Sequence, residues 1–383
     1  MRPVSCRCTA CGLCISKCPK SAIHFEKNEY REIISVIDES KCVNCGLCDK
    51  LCPEQNPVKV ETPRKCFAAW TTNNYDYRTT ASGGIATALS KWCLNNGGVV
   101  YGAEMLSDGY VVHRRIDSIG GLDRLKGSKY VQSDFSGVFD MLKKDVLSKK
   151  HIVVVGTPCQ IAAVKSGFKE KDLENVFLID LVCHGCPSDD YFKDYLNTIV
   201  GTNDKSRKIS FRNKGYFLKV TQNDELIYYK KWQADPYFRS FMYGMIFREN
   251  CYECKYSRPE RVSDLTLCDF WGLHKKNLNT KNSPQYVSGI LANTPKGEWL
   301  VDQCKEIVLE ERSLNEAVEG NHNLNNPSPK HKDRKHFLKC ITQGMNFIDC
   351  INKTSIKNEI KFFKILEILK IPYRLIRYGK NHI

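Results

Sequence analysis

Two copies of one four-cysteine pattern lie within the first 53 residues and constrain this chain more than any other feature of its sequence. Each copy reads Cys-x2-Cys-x2-Cys-x3-Cys-Pro, and both copies contain Cys-Gly-Leu-Cys at the same place. Four soft thiolates at this spacing suit an iron–sulfur cluster, so the pattern predicts two [4Fe–4S] clusters. A pair of structural zinc sites would also need four cysteines each, but it would not require this doubled spacing with a proline after each fourth cysteine.

In the bacterial two-cluster arrangement, the fourth cysteine of each copy binds the cluster of the other copy. One predicted ligand set is therefore Cys8, Cys11, Cys14 and Cys52. The other predicted set is Cys42, Cys45, Cys48 and Cys18. The crossing ties both halves of the repeat together, which lets a small core fold around metal. Cys6 falls outside the pattern and is not expected to be a ligand.

The composition of the whole chain is that of a globular protein, with 42% hydrophobic and 26% charged residues. Residues 1–18 carry cysteines and basic residues where a secretory signal would need an apolar segment, so we expect a cytoplasmic protein whose 20 cysteines are mostly reduced. The formal net charge of +15 raises the question of nucleic-acid binding. No zinc-finger spacing and no RNA-binding aromatic signature accompany it, so no nucleic-acid partner is expected.

Beyond residue 66 the sequence alternates between helix and strand signals, which favours an α/β core. Helices are predicted at 85–94, 135–150 and 190–200, and strands at 97–102, 151–156 and 175–182. Antiparallel hairpins are expected around residues 209–229, and the short runs 22–25 and 33–37 between the cysteine copies are expected to pair.

The end of the chain is polar and then basic. Residues 321–335 look like a flexible connection. An amphipathic stripe follows, with the apolar positions Phe362, Leu366, Leu369, Tyr373 and Ile376. A basic amphipathic helix can lie on an anionic membrane at the inner face of the cell, or it can dock on its own protein or on a partner. We favour docking, because most such stripes are core faces.

Three polar motifs fall at the ends of predicted elements in the middle of the chain. Ser82-Gly83-Gly84 opens a helix, and a helix N-terminus favours phosphate. The segment 126–132 combines cations, a hydroxyl and an aromatic ring. Gly156-Thr157-Pro158 follows a buried strand, where ligand sites of α/β proteins usually lie. The dinucleotide motif G-x-G-x-x-G and the Walker A motif are both absent from the sequence, which disfavours those two folds.

A second set of cysteines accompanies these motifs. Cys159 and Cys183 each follow a predicted buried strand, so they emerge at the same edge if both strands belong to one parallel sheet. Cys251 and Cys254 form a Cys-x2-Cys loop that could complete a four-thiolate site. The alternative is buried free cysteines, since cysteine behaves as a small hydrophobe. For His184 we favour a structural role or a contact with a cofactor.

Together these motifs resemble the beta subunit family of coenzyme F420-reducing hydrogenase and the related F420H2 dehydrogenase subunits. The resemblance rests on an ordered series between residues 66 and 273. The series is Ser82-Gly83-Gly84, Gly127-Ser128-Lys129-Tyr130-Val131-Gln132, Gly156-Thr157-Pro158-Cys159-Gln160, Cys183-His184-Gly185, Phe211-Arg212-Asn213-Lys214, Cys251-x2-Cys254 and Asp269-Phe270-Trp271-Gly272. The sequence departs from the family pattern at Cys186, where valine is usual, and at Cys268, where glycine is usual.

The resemblance implies a flavoprotein with iron–sulfur clusters. FAD would contact Ser82, Gly83, Gly84, Thr87, Ser128, Lys129, Tyr130, Gly156 and Thr157. A third [4Fe–4S] cluster near the flavin would use Cys159, Cys183, Cys251 and Cys254. No catalytic acid or base is assigned.

It also implies a fold class and a division of the chain. We expect an α+β or α/β protein with a small two-cluster ferredoxin-like domain at 1–62. A mixed α/β flavin-binding region follows, with its N-terminal part at 63–145 and its C-terminal part at 146–310. A linker and a helical basic tail would occupy 311–383.

The function that follows is an oxidoreductase of this beta-subunit type. It would pass electrons between ferredoxin-type clusters, FAD and a deazaflavin (coenzyme F420) or another substrate. Its electron carrier would be a ferredoxin or a reduced deazaflavin or flavin. The N-terminal repeat and the basic tail resemble a bacterial branch associated with surface-polysaccharide synthesis. The alternative is a non-catalytic electron-transfer subunit that docks on a partner enzyme.

Overall fold

The computed structural model of the protein describes residues 2–5, 7–202, 205–212, 214–273, 278 and 284–369. Its first part is a small module of two short helices and a three-stranded antiparallel sheet. The strands are β1 (Arg2–Pro3), β2 (Ile23–Lys27) and β3 (Ile33–Ile37), and the helices are α1 (Leu13–Lys17) and α2 (Leu47–Leu51). The sheet has the order β1-β3-β2. The predicted pairing of 22–25 with 33–37 is confirmed, with Phe25 opposite Ser35.

In each copy of the cysteine pattern, a glycine directly precedes the short helix. Gly12 precedes α1 at φ 80° and Gly46 precedes α2 at φ 70°, a left-handed conformation that side chains other than glycine rarely adopt. Gly12 also packs closely against the rest of the protein, because a Cβ at this position would lie 2.7 Å from the Cα of Ser136. The first helix is therefore seated directly on the larger part of the chain.

The larger part contains two further sheets. Its strands are β4 (Lys65–Thr71), β5 (Val99–Met105), β6 (Val111–Ile116), β7 (Ser133–Asp134), β8 (Ile152–Gly156), β9 (Val176–Leu181), β10 (Lys208–Arg212), β11 (Tyr216–Gln222), β12 (Glu225–Lys231), β13 (Leu265–Asp269), β14 (Ser288–Ala292) and β15 (Ile307–Arg312). A nine-stranded sheet has the order β15-β4-β14-β13-β9-β8-β5-β6-β7, and β10-β11-β12 form an antiparallel sheet. In the large sheet β13, β9, β8 and β5 run parallel to one another.

Helices cover the sheets. They are α3 (Asn74–Thr79), α4 (Ile85–Asn95), α5 (Val138–Leu147), α6 (Pro158–Gly167), α7 (Asp189–Val200), α8 (Pro236–Met242), α9 (Pro295–Gln303), α10 (Leu314–Gly320), α11 (Arg334–Thr342), α12 (Phe347–Asn352) and α13 (Ser355–Ile368). Short 3-10 helices lie at Ile119–Leu125, Glu170–Leu173, Glu249–Glu253 and His322–Leu324. Within the described residues, no helix is both long and apolar enough to cross a membrane.

These elements confirm the expected mixed α/β architecture. The predicted helix at 135–150 is shorter than expected, because Asp134 accepts hydrogen bonds from the backbone and the hydroxyl of Ser136 and holds the chain in a turn before Val138. The predicted hairpins at 209–229 are the antiparallel pairs of β10, β11 and β12. An aromatic core between this small sheet and the C-terminal helices includes the fully buried Phe211, Tyr237 and Phe337.

The prediction of a flexible connection at 321–335 is wrong. Asn321, Asn323 and Arg334 are buried. The amide of Asn323 donates a hydrogen bond to the hydroxyl of Ser328 at 3.0 Å, and that hydroxyl donates to the backbone oxygen of His184 at 2.6 Å. Polar residues in this segment are therefore hydrogen-bonding groups of a fixed structure and do not mark a linker.

The predicted stripe on the last helix has the wrong phase. Phe363 is buried together with Ile356, Ile360 and Leu366, whereas Phe362 and Leu369 are exposed. Ile356 and Ile360 join the aromatic core, so one face of α13 docks on its own protein, as we favoured. Tyr373 and Ile376 lie outside the described residues.

Arg248 fastens the small module to the larger part. Its side chain is 2% exposed. It donates hydrogen bonds to the backbone oxygens of Cys8 at 2.8 Å and Ile33 at 2.7 Å, and to the side chain of Gln132 at 2.7 Å. The hydroxyl of Ser166 on α6 adds a bond to the backbone oxygen of Leu51 at 2.7 Å. Because one buried cation satisfies acceptors on both sides, the module is fixed in orientation.

We expect Arg248→Met to lower the free energy of unfolding by about 3 kcal/mol, since several charge-assisted hydrogen bonds are lost and their acceptors stay buried. Denaturant titration, together with limited proteolysis of the N-terminal module, measures the effect. The control is Arg114→Met, at a half-exposed arginine paired with Glu104, which should change the free energy of unfolding by less than about 1 kcal/mol. Equal effects of the two substitutions would contradict the role of Arg248.

Candidate redox site

Three cysteines of the first predicted ligand set, Cys8, Cys11 and Cys14, come from the first repeat. The fourth, Cys52, comes from the second repeat and lies near Cys14 in the structure. Burial raises the pKa of Cys14 to about 12, and the neighbouring thiols of Cys8 and Cys52 act in the same direction. The backbone N–H groups of Ala10 and Ser35 point at the sulfur of Cys8, at 3.3 and 3.4 Å. Buried thiolates need a nearby positive charge, which bound iron would supply.

The second predicted set lines a cavity of about 150 Å³ in the module, and the lining includes Cys18, Cys42, Cys45 and Cys48. Backbone N–H groups again point at sulfur, from Ala22 to Cys18 at 3.3 Å and from Asn44 to Cys42 at 3.4 Å. Hydrogen bonds to sulfur of this kind are one of the means by which proteins tune iron–sulfur clusters. Cys45 is exposed, so this site reaches the protein surface.

The crossed assignment stays a prediction, because the thiol of Cys14 interacts with Cys52 of its own predicted set and also with Cys48 of the other set. In the described residues no group of three or more His, Cys, Asp or Glu is arranged to hold a metal ion. The thiols of a four-iron cluster each bind a different iron, so they do not have to converge on one point as the ligands of a single ion do. Cys6 lies outside the described residues.

A third group of thiols forms where two parallel strands end. Gly156 at the end of β8 lies opposite Asp180 near the end of β9. Cys159 follows the first strand and Cys183 the second, so the expectation that both emerge at one edge is confirmed. The 3-10 helix Glu249–Glu253 brings Cys251 and Cys254 to the same place. Burial raises the pKa of Cys159, and the thiols of Cys183 and Cys254 raise it further.

The structure adds a fifth cysteine that sequence reasoning noted only as a departure from the family pattern. The backbone N–H of Cys186 lies 3.4 Å from the sulfur of Cys251, and its thiol interacts with those of Cys183 and Cys159. The spacing Cys183-x2-Cys186 was the signal that could have revealed it. Five thiols thus surround this site. A [4Fe–4S] cluster there would use four of them as ligands.

One aromatic side chain lies between the third group and the N-terminal module. Tyr256 packs in an apolar cluster with Cys11, Cys159 and Cys254. Its buried hydroxyl has no hydrogen-bond partner among the described residues. Burial raises the pKa of Tyr256, and the carboxylate of Glu54 acts in the same direction. Sequence reasoning missed this contact, because the only signal for Tyr256 is its position two residues after Cys254.

A cavity of about 320 Å³ opens at the same edge of the large sheet. Its lining includes eight of the nine residues expected to contact FAD, namely Ser82, Gly84, Thr87, Ser128, Lys129, Tyr130, Gly156 and Thr157. Gly83 is the exception. It packs between two strands, where a Cβ would lie 2.5 Å from the backbone oxygen of Ala69, and its N–H binds the hydroxyl of Ser288. Gly83 therefore supports the cavity from behind and does not face it.

The cavity wall and the third cysteine group share residues. Cys183 and Cys186 both line the cavity, together with His184, whose pKa is lowered by desolvation. A histidine that lines the cavity and is exposed there is compatible with the cofactor contact expected from the sequence. Cys268, the other departure from the family pattern, also lines the cavity.

The cavity offers a place for an anion. Helix α4 begins at Gly84 without a side-chain cap, and Ile85, Ala86 and Thr87 of its first turn line the cavity. Free N–H groups at a helix N-terminus bind phosphate well. Gly127, at φ 82°, also lines the cavity, and a Cβ there would meet no atom within 4 Å. The backbone at Gly127 is thus open to close approach by a ligand.

Two titratable groups in the wall have a lowered pKa because burial disfavours their charged forms. Desolvation lowers the pKa of the Lys129 amine to about 7. The amine donates hydrogen bonds to the backbone oxygens of Leu125 at 2.7 Å and Lys126 at 2.8 Å. Burial also lowers the pKa of His113 to about 4. Its Nδ1 is buried and has no partner among the described residues.

Comparisons with known proteins match two segments of the chain to family models. Residues 149–317 match the family described as the C terminus of the beta subunit of coenzyme F420 hydrogenase/dehydrogenase, and residues 7–56 match the 4Fe-4S dicluster domain. A solved structure from a study of xenon derivatization of the F420-reducing [NiFe] hydrogenase complex from Methanosarcina barkeri contains a similar chain. That similarity covers 78% of this chain and 93% of that one, at 17% identity and a TM-score of 0.48. No curated protein matches the sequence.

On these two matches, the chain is similar to the C terminus of the coenzyme F420 hydrogenase/dehydrogenase beta subunit over residues 149–317 and carries a 4Fe-4S dicluster domain at residues 7–56. It is therefore an iron–sulfur electron-transfer protein related to that beta subunit.

We expect Cys11→Ser to remove about one [4Fe–4S] cluster, or about four irons, from anaerobically purified protein, because a hydroxyl is a poor ligand for this cluster. Iron and sulfide quantitation measures the loss, and low-temperature paramagnetic resonance after reduction identifies the missing cluster. The control is Cys66→Ser, at a buried cysteine in a different apolar cluster. If Cys66→Ser removed as much iron as Cys11→Ser, the ligand assignment would be wrong.

Proposed function

We propose that this protein is an iron–sulfur flavoprotein oxidoreductase that exchanges electrons between a substrate at the cavity and a carrier at the surface of the N-terminal module. The observation that carries the proposal is the shared wall: Cys183 and Cys186 belong both to the third cysteine group and to the cavity lining. A cofactor in this cavity would be in direct contact with the residues that hold a cluster. FAD would exchange two electrons at a time with the substrate and one electron at a time with the clusters.

Different residues of the cavity wall would bind different parts of such a cofactor. The first turn of α4 and the backbone at Gly127 would receive the pyrophosphate, since free N–H groups and an open backbone are available there. Apolar residues such as Val155 and Phe241 in the lining would cover a ring system and exclude water. The partnerless Nδ1 of His113 would gain a hydrogen-bond partner on cofactor binding.

The arrangement of the cysteines supports one order of centres. Cys183 and Cys186 of the third group line the cavity. Cys159 and Cys254 of the same group pack in one apolar cluster with Tyr256, and Cys11 of the first predicted set packs in that cluster too. The second predicted set lines a cavity of its own and includes the exposed Cys45. Electrons would pass from the cavity through the third group and the first set to the second set, or in reverse. An external ferredoxin-like carrier would exchange electrons at the exposed end.

The substrate follows from the family relationship and from the branch that the sequence resembles. A reduced or oxidised deazaflavin is the first candidate, and an intermediate of surface-polysaccharide synthesis is the second. We place the reaction in the cytoplasm.

The test is anaerobic purification with quantitation of iron, sulfide and flavin. We expect about twelve irons and one flavin per chain, given four-iron cores. Cys251→Ser should lower the iron to about eight and leave the flavin bound. It should also block reduction of the N-terminal clusters by substrate while leaving reduction of the flavin intact. Absence of flavin after reconstitution, or transfer of electrons that survives Cys251→Ser, would overturn the proposal.

The low pKa of Lys129 makes cofactor binding dependent on pH. The empty site holds the neutral amine above about pH 7, whereas a bound phosphate favours the charged amine, so binding takes up a proton there. The affinity for FAD should therefore fall as pH rises from 7 to 9, by up to about tenfold per pH unit. Fluorescence titration of the apoprotein measures this dependence. Lys129→Met should bind more weakly at pH 7 and lose the slope, and a slope that persists in this variant would exclude Lys129 as its source.

The alternative is a relay subunit that has no substrate of its own and passes electrons to a partner enzyme. The exposed Cys45 supports this function and the oxidoreductase function equally. The two functions differ in what the isolated protein does. A relay would show reducible clusters but no turnover with deazaflavin or flavin substrates, and turnover would appear only when a partner enzyme is added. Turnover by the isolated chain would exclude the relay.

A further inference from the structure

The last described helix has two apolar faces, and only one of them is covered. Ile356, Ile360, Phe363 and Leu366 are buried against the protein. Phe362, Ile365, Ile368 and Leu369 project from the other side, with 47%, 52%, 78% and 60% of their surfaces exposed. Residues three and four apart lie on the same side of a helix, so these four side chains form one patch. We call it the outer face of α13.

Four large apolar side chains within eight residues are unusual on a protein surface. Elsewhere in the described residues, the exposed Leu147 lies on α5 and the exposed Leu226 and Ile227 on the edge strand β12. Burial in the fold does not explain the outer face of α13, since the core contacts of this helix are made by its opposite side.

Positive charge surrounds the outer face. Lys361 and Lys364 are exposed on the same helix. Lys230 of β12 is close enough to Lys364 for their charges to interact, and the pKa of Lys230, lowered first by burial, is lowered further by that neighbour. Lys231 is bound to Glu367 at 3.1 Å, which neutralises the one carboxylate in this part of the helix. The surroundings of the patch are therefore cationic.

The chain continues from the outer face into a segment of the same chemistry. Residues 370–383 contain Lys370, Arg374, Arg377 and Lys380 and no Asp or Glu. The same segment contains apolar and aromatic residues between these cations. Apolar side chains with flanking lysines and arginines are the combination that anionic lipid headgroups and the adjoining acyl chains accept.

We propose that the outer face of α13 binds the surface of an anionic membrane. The exposed apolar side chains would enter the boundary between headgroups and acyl chains, while Lys361 and Lys364 contact the headgroups. The protein would lie on the membrane without crossing it. The proposal concerns location and does not depend on the cofactor or the substrate of the cavity.

Sedimentation of the full chain with lipid vesicles tests this inference. We expect binding to vesicles of phosphatidylcholine mixed with phosphatidylglycerol, little binding to phosphatidylcholine alone, and a marked decrease at high salt because the attraction between charges is screened. The double substitution Ile365→Asp and Ile368→Asp should lower the affinity at least about tenfold, since apolar contacts are lost and two negative charges are added. Both positions are exposed, so the variant should fold.

The matched control is Leu147→Asp, at a leucine that is 79% exposed on α5. It should bind vesicles as the unchanged protein does. Iron content and flavin content should be the same in all three proteins, which separates failure of this proposal from failure of the proposed function. Three results would overturn the inference: no binding to anionic vesicles, binding that survives the double substitution, or self-association in solution that the double substitution abolishes.

Discussion

The ends of β8 and β9 determine where the chemistry of this protein lies. Because the two strands run parallel and in register, the chain leaves both at one edge of the large sheet. Cys159 follows one strand and Cys183 follows the other, and the cavity opens between the same two chain segments. An antiparallel pair would have sent one of these cysteines to the opposite edge. The closeness of the thiol group and the cavity is thus a consequence of strand direction.

The sulfur atoms of these cysteines lie in surroundings of low dielectric constant, which disfavour the charged thiolate form. Burial raises the pKa of Cys11, Cys14, Cys159, Cys251 and Cys254. Such thiols lose their protons readily only when a cation takes the place of water. Bound iron would supply that charge, and metal binding would then be coupled to folding of the surrounding loops. The buried Arg261–Asp180 pair, at 3.1 Å, places a further cation beneath the end of β9.

Patterns within short stretches of the sequence predicted those structural features that depend on residues close together in the chain. The two cysteine copies, the strands around them, the main helices and the meeting of Cys159 with Cys183 all follow from spacing and from alternation of element types. The phase of α13 was wrong because Phe362 and Phe363 are adjacent and hydrophobic pattern alone does not say which one faces the core. Arg248 and Tyr256 were missed because their partners lie far away in the sequence. The segment 321–335 was misread because polar residues can satisfy buried backbone groups as well as face water.

The close approach of Gly12 to Ser136 has a consequence for electron transfer. A carrier protein that diffuses must find its partner anew for each electron, and the distance between the redox centres then varies from one encounter to the next. Here the first helix of the ferredoxin-type module rests on the backbone of the larger part, with Arg248 holding the same joint. The gap between the two halves is therefore set once, when the chain folds. In the proposed function, the rate of electron passage across this gap would be a fixed property of the molecule, and cellular conditions would act on the flow at the cavity and at the exposed end of the module.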